Sequence, residues 1–328
     1  MNCSNCTLFT WPPITFSTIS ASLTLSICIV GFLANIFLLV VIASDKKIQS
    51  PCFVLIAGCG IGSLVMAVGY SLSSLGRLGV WPYTNRSRLY CQSISGFLLK
   101  IPTIPFNSQA AFLIAVDRFL GVQSPVKYQL LGKKCALLGL FACTLYGVAE
   151  IIYLQAINPA FETVPKCADL TSINGPTFSE VFSISNVFFC ALCVTGYIAV
   201  LIWVRISKPK LNDLGDHGGF SSVAEKQFHS LQQKAILPAA KLLFTLYLLL
   251  GIVPEIMFAI AHSTGTFGGT STLIAEILKS CSTLVEIASL TLRSQQFRRS
   301  ARELFRRNGC VHPVSKTKVG IIQSGNKN

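Results

Sequence analysis

The stretch AVDRFLGVQSPVKYQ, residues 115–129, places an acidic and a basic side chain, Asp117 and Arg118, at the end of a long apolar run. The run begins near residue 92 and is longer than the roughly 20 residues that a helix needs to cross a hydrocarbon core. Charged side chains are costly at the bilayer centre and tolerable where a helix meets water. The stretch therefore indicates the end of a membrane-spanning helix.

The rest of the chain repeats this apolar pattern. Of its 328 residues, 52% are hydrophobic and only 12% are charged, which is more apolar surface than a soluble core absorbs. Runs of spanning length are too long and too uniformly apolar for barrel strands. We predict an all-α fold, a seven-transmembrane helix bundle, with spans one to seven near 18–43, 52–75, 92–122, 134–157, 180–205, 234–262 and 270–292.

The basic residues predict the orientation, because cytoplasmic loops retain Lys and Arg. With the N-terminus outside, the inner segments hold 19 basic residues and the outer segments four. The net charge of +14 then describes a basic cytoplasmic face beside anionic membrane lipid, not a nucleic-acid site. We expect an extracellular N-terminus (1–17), a bundle (18–292) and a cytoplasmic tail (308–328).

The outer segments carry candidate modification sites. The tripeptides at Asn2, Asn5 and Asn85 have the form of N-glycosylation acceptors and fall on the predicted outer side. Cys91 and Cys167 also lie there, where an oxidising environment permits a disulfide. Cys3 and Cys6 form a further bridge or stay free. No cysteine pair has a convincing zinc spacing with histidines, so we expect no metal and no cofactor.

After span seven, LTLRSQQFRRSARELF (290–305) predicts a short amphipathic helix at 293–307. On a helix, five apolar side chains share one face and four arginines point to lipid headgroups. The apolar set is Leu292, Phe297, Ala301, Leu304 and Phe305, and the basic set is Arg298, Arg299, Arg302 and Arg306. Cys310 follows, a position suited to S-palmitoylation or left as an unmodified tail cysteine.

Together these features resemble a rhodopsin-type G-protein-coupled receptor over residues 18–307. The resemblance implies that Asp117 restrains Arg118 at rest and that Arg118 is released to meet a heterotrimeric G protein, with Phe119 in place of the usual tyrosine. It also implies the Cys91–Cys167 disulfide, although the 27 residues from Cys91 to Arg118 are two more than usual. Three further positions match: Asn35 in span one, Tyr197 in span five and Pro254 in span six.

Other positions depart from the rhodopsin-type pattern. The span-two aspartate position is Gly62, the span-six tryptophan position is Ile252, and the span-seven motif reads EIASL at 286–290. Such a pattern is similar to nematode serpentine chemoreceptors, the Sx class most of all. Because Glu286 brings an acid opposite Gly62, we hypothesise that a carboxylate has moved between helices and bonds Asn35. The alternative is a protonated Glu286 bonded to its own helix.

The outer half of the bundle holds further ionisable groups, which are functional candidates by default inside a membrane. By its spacing from Arg118, Lys100 lies where many family members contact ligand. We expect Lys100 opposite Glu255 or Glu276, as one wall of a ligand pocket. The other predicted contacts are Lys279, Met257, Phe258 and the deeper Phe106. The alternative is that the lysines and glutamates neutralise one another as a buried network.

The predicted function is a chemosensory receptor that binds an extracellular small-molecule ligand. Binding shifts span six about Pro254 and opens the inner face near Arg118, Tyr197 and Lys241 to a G protein. A neuropeptide-type receptor is the first alternative; a ligand-gated channel and a secondary transporter are remoter. A light sensor needs a Schiff-base lysine, and Lys279 is one residue out of register. We expect no enzyme activity. We expect the protein to lie in the plasma membrane, with a sensory cilium as one such location.

Overall fold

The computed structural model describes residues 14–45, 50–80, 84–123, 125–157, 162–167, 173–213, 241–242, 244–263, 270–285, 288 and 294–307. Within these ranges the protein is nearly all helical. The helices are α1 (Ile14–Ser44), α2 (Pro51–Arg77), α3 (Arg88–Ile94), α4 (Phe97–Gln123), α5 (Pro125–Ile157), α6 (Pro176–Asp213), α7 (Val253–Ser263), α8 (Thr270–Cys281) and α9 (Gln295–Arg307). A π-helical segment (Leu248–Ile252) precedes α7, and a 3-10 turn (Ser282–Leu284) follows α8.

Five helical segments are long and apolar enough to cross a membrane. They belong to spans one, two, four, five and six and cover Phe16–Ser44, Pro51–Arg77, Gly132–Ile157, Thr177–Trp203 and Phe244–Ala261. Span three corresponds to α3 and α4. Helix α4 is long enough to cross a membrane, but it contains the charged residues Lys100, Asp117 and Arg118. Span seven is described as α8 with its 3-10 turn, and most of 286–293 lies outside the described residues.

A small sheet corrects the all-α prediction. Strands β1 (Thr84–Ser87) and β2 (Thr163–Lys166) pair antiparallel, with Arg86 opposite Val164. They come from the loops after spans two and four, and the Cys91–Cys167 disulfide joins the same two segments. Holding two extended segments side by side lets their backbone groups pair, which the sequence of either loop alone does not reveal.

The outer end of span three is broken between α3 and α4. Gly96 adopts a positive φ of 69°, a conformation that glycine adopts readily, and a Cβ there would overlap the backbone of Gly69 in α2. The break explains the long spacing from Cys91 to Arg118. It also brings the start of α4 against α2, which buries Lys100.

Span six changes its helical pitch just before its proline. Pro254 has no backbone N–H and cannot complete the α-helical bond to the residue four before it. The helix widens to π geometry at Leu248–Ile252, and the Val253 N–H bonds to the Leu248 carbonyl, five residues back. Such single-turn π segments frequently mark functional sites in helices.

Helix α9 packs its apolar side against the inner ends of spans one and two. Phe297 is fully buried, and Phe37 of α1 contacts it at a ring-centroid distance of 6.4 Å. Phe37 also stacks on Phe305 at 5.6 Å. Ser300 donates a hydrogen bond to Asp45, which ties α9 to the end of α1. The four arginines at 298, 299, 302 and 306 are exposed.

We predict that Gly96→Ala destabilises the protein more than Gly79→Ala does. Both glycines have positive φ, so an alanine costs about 1–2 kcal/mol at either site. Only Gly96 has a neighbour that a Cβ would overlap, and overpacking adds about 1–3 kcal/mol. Thermal unfolding of the purified variants checks this order, and equal losses would contradict the close approach of α2 and α4.

Candidate functional site

A buried ion pair joins spans six and seven in the half of the bundle that is predicted to face outside. The Lys279 ammonium lies 2.6 Å from Glu255 Oε1, and the two side chains are only 5% and 6% exposed. Glu255 directly follows Pro254 and lies in the first turn of α7. A pair desolvated to this degree is stable only as a pair, because a single remaining charge would be buried without compensation.

A second ion pair joins spans two and seven closer to water. Arg77 Nη1 lies 2.6 Å from Glu276 Oε2, with side-chain exposures of 16% and 21%. Arg77, one of the four basic residues assigned above to the outer segments, lies in the last turn of α2. Ser73 lies four residues earlier, so both face the same side of that helix.

Lys100 pairs with neither carboxylate. Its ammonium contacts neutral groups instead. It donates a hydrogen bond to Ser73 Oγ at 3.1 Å and lies 4.1 Å from the Phe97 ring centroid and 5.1 Å from the Tyr70 ring centroid. Lys100 is 3% exposed. Among the described residues, no carboxylate lies within ion-pair distance of Lys100, although Glu276 acts on it electrostatically.

These contacts correct the predicted pocket. Lys100 was expected opposite Glu255 or Glu276, but each glutamate pairs with another cation, one of which is Arg77. Phe106, predicted to lie deeper, packs against a cluster of spans one, two and three that includes Leu38. Met257 and Phe258 are half-buried in α7.

Span five adds polar groups that the sequence analysis missed. Asn186 is fully buried, and neither its amide nitrogen nor its amide oxygen has a hydrogen-bond partner among the described residues. One turn later, Cys190 Sγ lies 3.4 Å from Ser108 Oγ in α4. The pair Lys279–Glu255 acts electrostatically on Cys190. Asn186 therefore lies one turn outward from a polar contact between spans three and five.

The core asparagine links spans one and seven. Asn35 Nδ2 donates to the Gly31 carbonyl at 2.8 Å and to the Thr283 carbonyl at 2.6 Å. Thr283 lies in the 3-10 turn, where carbonyl groups are left without α-helical donors. Glu286, the predicted partner of Asn35, lies outside the described residues.

The position of the family's span-two aspartate is filled from span three. A Cβ at Gly62 would collide with the side chains of Asn107 and Phe106. Asn107 Nδ2 donates to Ser63 Oγ at 3.3 Å, beside Gly62. The polar group at this level is thus a neutral amide on α4, so Gly62 cannot receive an aspartate without displacing Asn107.

At the inner end of span three, Arg118 reaches span two. Its Nη2 donates to Cys52 Sγ at 2.7 Å, and Cys52 interacts with Asp117 as well. Asp117 and Cys52 are buried, at 9% and 2% exposed. The thiol at the start of α2 therefore links span two to both members of the predicted switch.

Aromatic side chains surround the same inner region on spans five and six. Phe119 contacts Trp203 edge to face at 5.6 Å, and Tyr197 stacks on Tyr247 at 6.1 Å. The Tyr197 hydroxyl is buried without a hydrogen-bond partner among the described residues, and Arg118 acts on it electrostatically. Lys241, the remaining predicted coupling residue, is exposed.

The sequence model of the Srsx family, described as serpentine type 7TM GPCR chemoreceptor, matches residues 28–305. This match begins within α1 and covers spans two to seven and most of α9. The chain belongs to the Srsx family of serpentine seven-transmembrane chemoreceptors. No curated protein matched the chain. The resemblance to the Sx class is confirmed.

In this Srsx-family protein, the disulfide between Cys91 and Cys167 is present. Asn85 lies in β1, whereas Asn2, Asn5, Leu292 and Cys310 lie outside the described residues. Among the described residues, no group of His, Cys, Asp and Glu side chains is arranged to hold a metal ion.

Glu150 is a further ionisable group that the sequence did not single out. It lies within the apolar run of span four, which was taken as uniformly apolar. It lies in α5, and its Oε1 accepts a hydrogen bond from Ser185 of α6 at 3.3 Å. Tyr146, one turn earlier, interacts with Glu150 and Ser185. An acid within an apolar run is itself the signal that identifies such a position.

We predict that Lys279→Ala is strongly destabilising, by about 3–5 kcal/mol, because it leaves Glu255 buried without a cation. The double variant Glu255→Leu with Lys279→Met recovers most of the loss, since it removes both charges and retains side-chain volume. Glu276→Ala is the matched control and costs less, because the Arg77–Glu276 pair is more exposed, at 16% and 21%.

Thermal unfolding of detergent-solubilised protein measures these differences. If the double variant were as unstable as Lys279→Ala, the two side chains would not be acting as a pair.

Proposed function

We propose that the protein is a chemosensory receptor that binds an extracellular small-molecule ligand and activates a heterotrimeric G protein. The observation that carries the proposal is the Lys279–Glu255 pair, buried between spans six and seven and adjacent to Pro254. Family membership supports the same class of function. A ligand that changes this contact acts directly on the segment at which span six changes pitch.

The ligand side of the proposal rests on where the polar groups lie. Five ionisable residues from spans two, three, six and seven lie on the predicted outer half of their helices. They are Arg77, Lys100, Glu255, Glu276 and Lys279. Ionisable groups that converge inside a membrane mark ligand or ion pathways more often than structural contacts. Met257 and Phe258 add apolar surface on span six.

The coupling side rests on the packing of span six. Gly251, inside the π segment, lies against Cys190 of span five, whose Sγ would be at an ordinary contact distance of 3.7 Å from a Cβ at Gly251. Below it, Tyr247 stacks on Tyr197. A shift of α7 relative to α8 is transmitted through this contact to the aromatic side chains beside Arg118. Movement of Tyr247 would open Arg118 to the G protein, beside Lys241, which is already exposed.

The membrane placement that supports this function has the N-terminus outside and α9 on the cytoplasmic surface. The basic residue distribution favours this orientation. The exposed arginines of α9 suit anionic headgroups. We further propose a plasma-membrane location, including a sensory cilium, with glycans on Asn2, Asn5 and Asn85 and a palmitoyl group on Cys310.

Arg118→Ala tests the G-protein role. Cells expressing the receptor are exposed to organic acids, amines, alcohols and short peptides, and recruitment of each Gα class is recorded by energy transfer. The wild type responds to at least one compound, and Arg118→Ala loses that response at equal surface expression, because the G-protein contact is removed. Arg299→Ala, an exposed arginine on α9, is the control.

A compound-dependent current that persists in membranes without G protein would contradict the receptor assignment and favour the channel alternative. An undiminished response of Arg118→Ala would contradict the switch.

Cys52→Ala tests the restraint on Arg118. Removing the thiol takes away the acceptor of the Arg118 hydrogen bond and the link to span two. We expect higher basal G-protein recruitment, roughly two- to tenfold, as for the loss of about 0.5–1.5 kcal/mol from one state of a two-state equilibrium. Cys143→Ala, another buried cysteine, is the control. Unchanged basal activity would show that Cys52 does not hold the resting state.

A further inference from the structure

Within one group of ionisable residues in the predicted outer half, the charges do not balance; Glu150 of span four, which accepts a hydrogen bond from Ser185, is not part of this group. The outer polar cluster, defined as Arg77, Lys100, Glu255, Glu276 and Lys279, contains three cations and two anions. Two ion pairs use both anions, through Arg77 and Lys279. One positive charge remains, and it is the ammonium of Lys100, in a side chain that is 3% exposed.

The surroundings of Lys100 stabilise an ammonium only in part. The Ser73 hydroxyl accepts one hydrogen bond, and the faces of Phe97 and Tyr70 provide a weaker attraction. An ammonium has three donors, and a buried charge without a counter-ion is unfavourable. An anion that reached Lys100 would gain from a charge already held in place by aromatic walls, without first breaking an ion pair.

A second, independent observation is the amide of Asn186. It is fully buried, and both its donor and its acceptor lack partners among the described residues. Asn186 precedes Cys190 by one turn, and Cys190 contacts Ser108 of α4. Spans three and five run in the same direction, so Asn186 lies at the level of Ile104, four residues or about 6 Å deeper than Lys100.

We propose that the ligand carries a carboxylate that binds Lys100 Nζ and a hydroxyl or carbonyl group, about one helical turn deeper, that binds Asn186. This inference rests on the proposed receptor function and specifies its ligand. A monoanion matches the single unpaired charge, whereas a phosphate dianion would exceed it. The Phe97 and Tyr70 rings beside the Lys100 ammonium favour an apolar group next to the carboxylate. Free organic acids and the C-terminus of a short peptide share this chemistry.

The test measures binding to full-length receptor in lipid nanodiscs, without G protein. The probes are phenylacetate and para-hydroxyphenylacetate, the methyl ester of each, and short peptides with either a free or an amidated C-terminus. The acids raise the unfolding temperature of the wild type and the esters do not. In Lys100→Met, the affinity for the acids falls roughly thirtyfold or more, as for the loss of one partner from a buried charge pair.

Lys100→Met is expected to fold, because it removes an unpaired buried charge and keeps the length of the side chain. Lys100→Glu provides a converse test: phenethylamine binds this variant and phenylacetate does not. Asn186→Leu removes the advantage of para-hydroxyphenylacetate over phenylacetate, about two- to tenfold, and leaves the binding of phenylacetate unchanged.

The outcomes separate the ligand class from the receptor function. Esters that bind as well as acids, undiminished acid binding by Lys100→Met, or binding by none of the acids and free-carboxylate peptides would each overturn the carboxylate proposal. Neutral compounds that signal through Arg118 would overturn it too and leave the receptor function standing. Acids that bind through Lys100 without any G-protein recruitment would support the ligand class and count against the proposed function.

Discussion

The ion pair between Lys279 and Glu255 constrains the outer half of this bundle. Two charges that are 5% and 6% exposed tie span six to span seven, and either one alone would be unfavourable at that depth. Because Lys279 pairs with Glu255 and Arg77 pairs with Glu276, the groups in direct contact with Lys100 are neutral. The position of the unpaired charge is thus a consequence of how the other four are arranged.

Below this level, the polar contacts form a sequence of neutral interactions. Asn107 of span three bonds Ser63 beside Gly62, and Asn35 of span one bonds the Thr283 carbonyl of span seven. The rhodopsin-type pattern would place a carboxylate at the Gly62 position. With an amide there instead, the proposed coupling between the outer polar cluster and Arg118 would depend on packing around span six, where the π segment and Pro254 interrupt the regular helix.

Much of the architecture could be predicted from the sequence, because apolar run length and basic loop residues report directly on a bilayer. The family resemblance implied the Cys91–Cys167 disulfide, and the Arg-rich face of α9 follows from a local pattern. The pairing of the outer charges could not, since helical spacing orders residues along one span but does not rotate neighbouring spans relative to each other. Arg77 shows this limit: it was assigned to the outer segments, and it pairs with Glu276.

The residues that the sequence did not single out share a physical property. Asn186, Ser73 and Cys52 are small or neutral side chains inside apolar runs, where their type alone indicates nothing. Each gains its role from the residue that faces it or, for Asn186, from having both amide atoms without partners among the described residues. The β1–β2 pair was missed for a related reason, because two distant loops must be brought together before their backbones pair.

The central claim is that Lys279 and Glu255 form an ionised pair and leave Lys100 as the unpaired cation of the outer polar cluster. Infrared difference spectroscopy of wild type against Glu255→Gln tests it most directly, since a protonated carboxyl group absorbs in a region free of carboxylate bands. The account predicts that the difference spectrum shows a loss of carboxylate absorption and no loss of a protonated-carboxyl band. Loss of a protonated-carboxyl band would show that Glu255 is neutral, and the charge balance of the outer polar cluster would be contradicted.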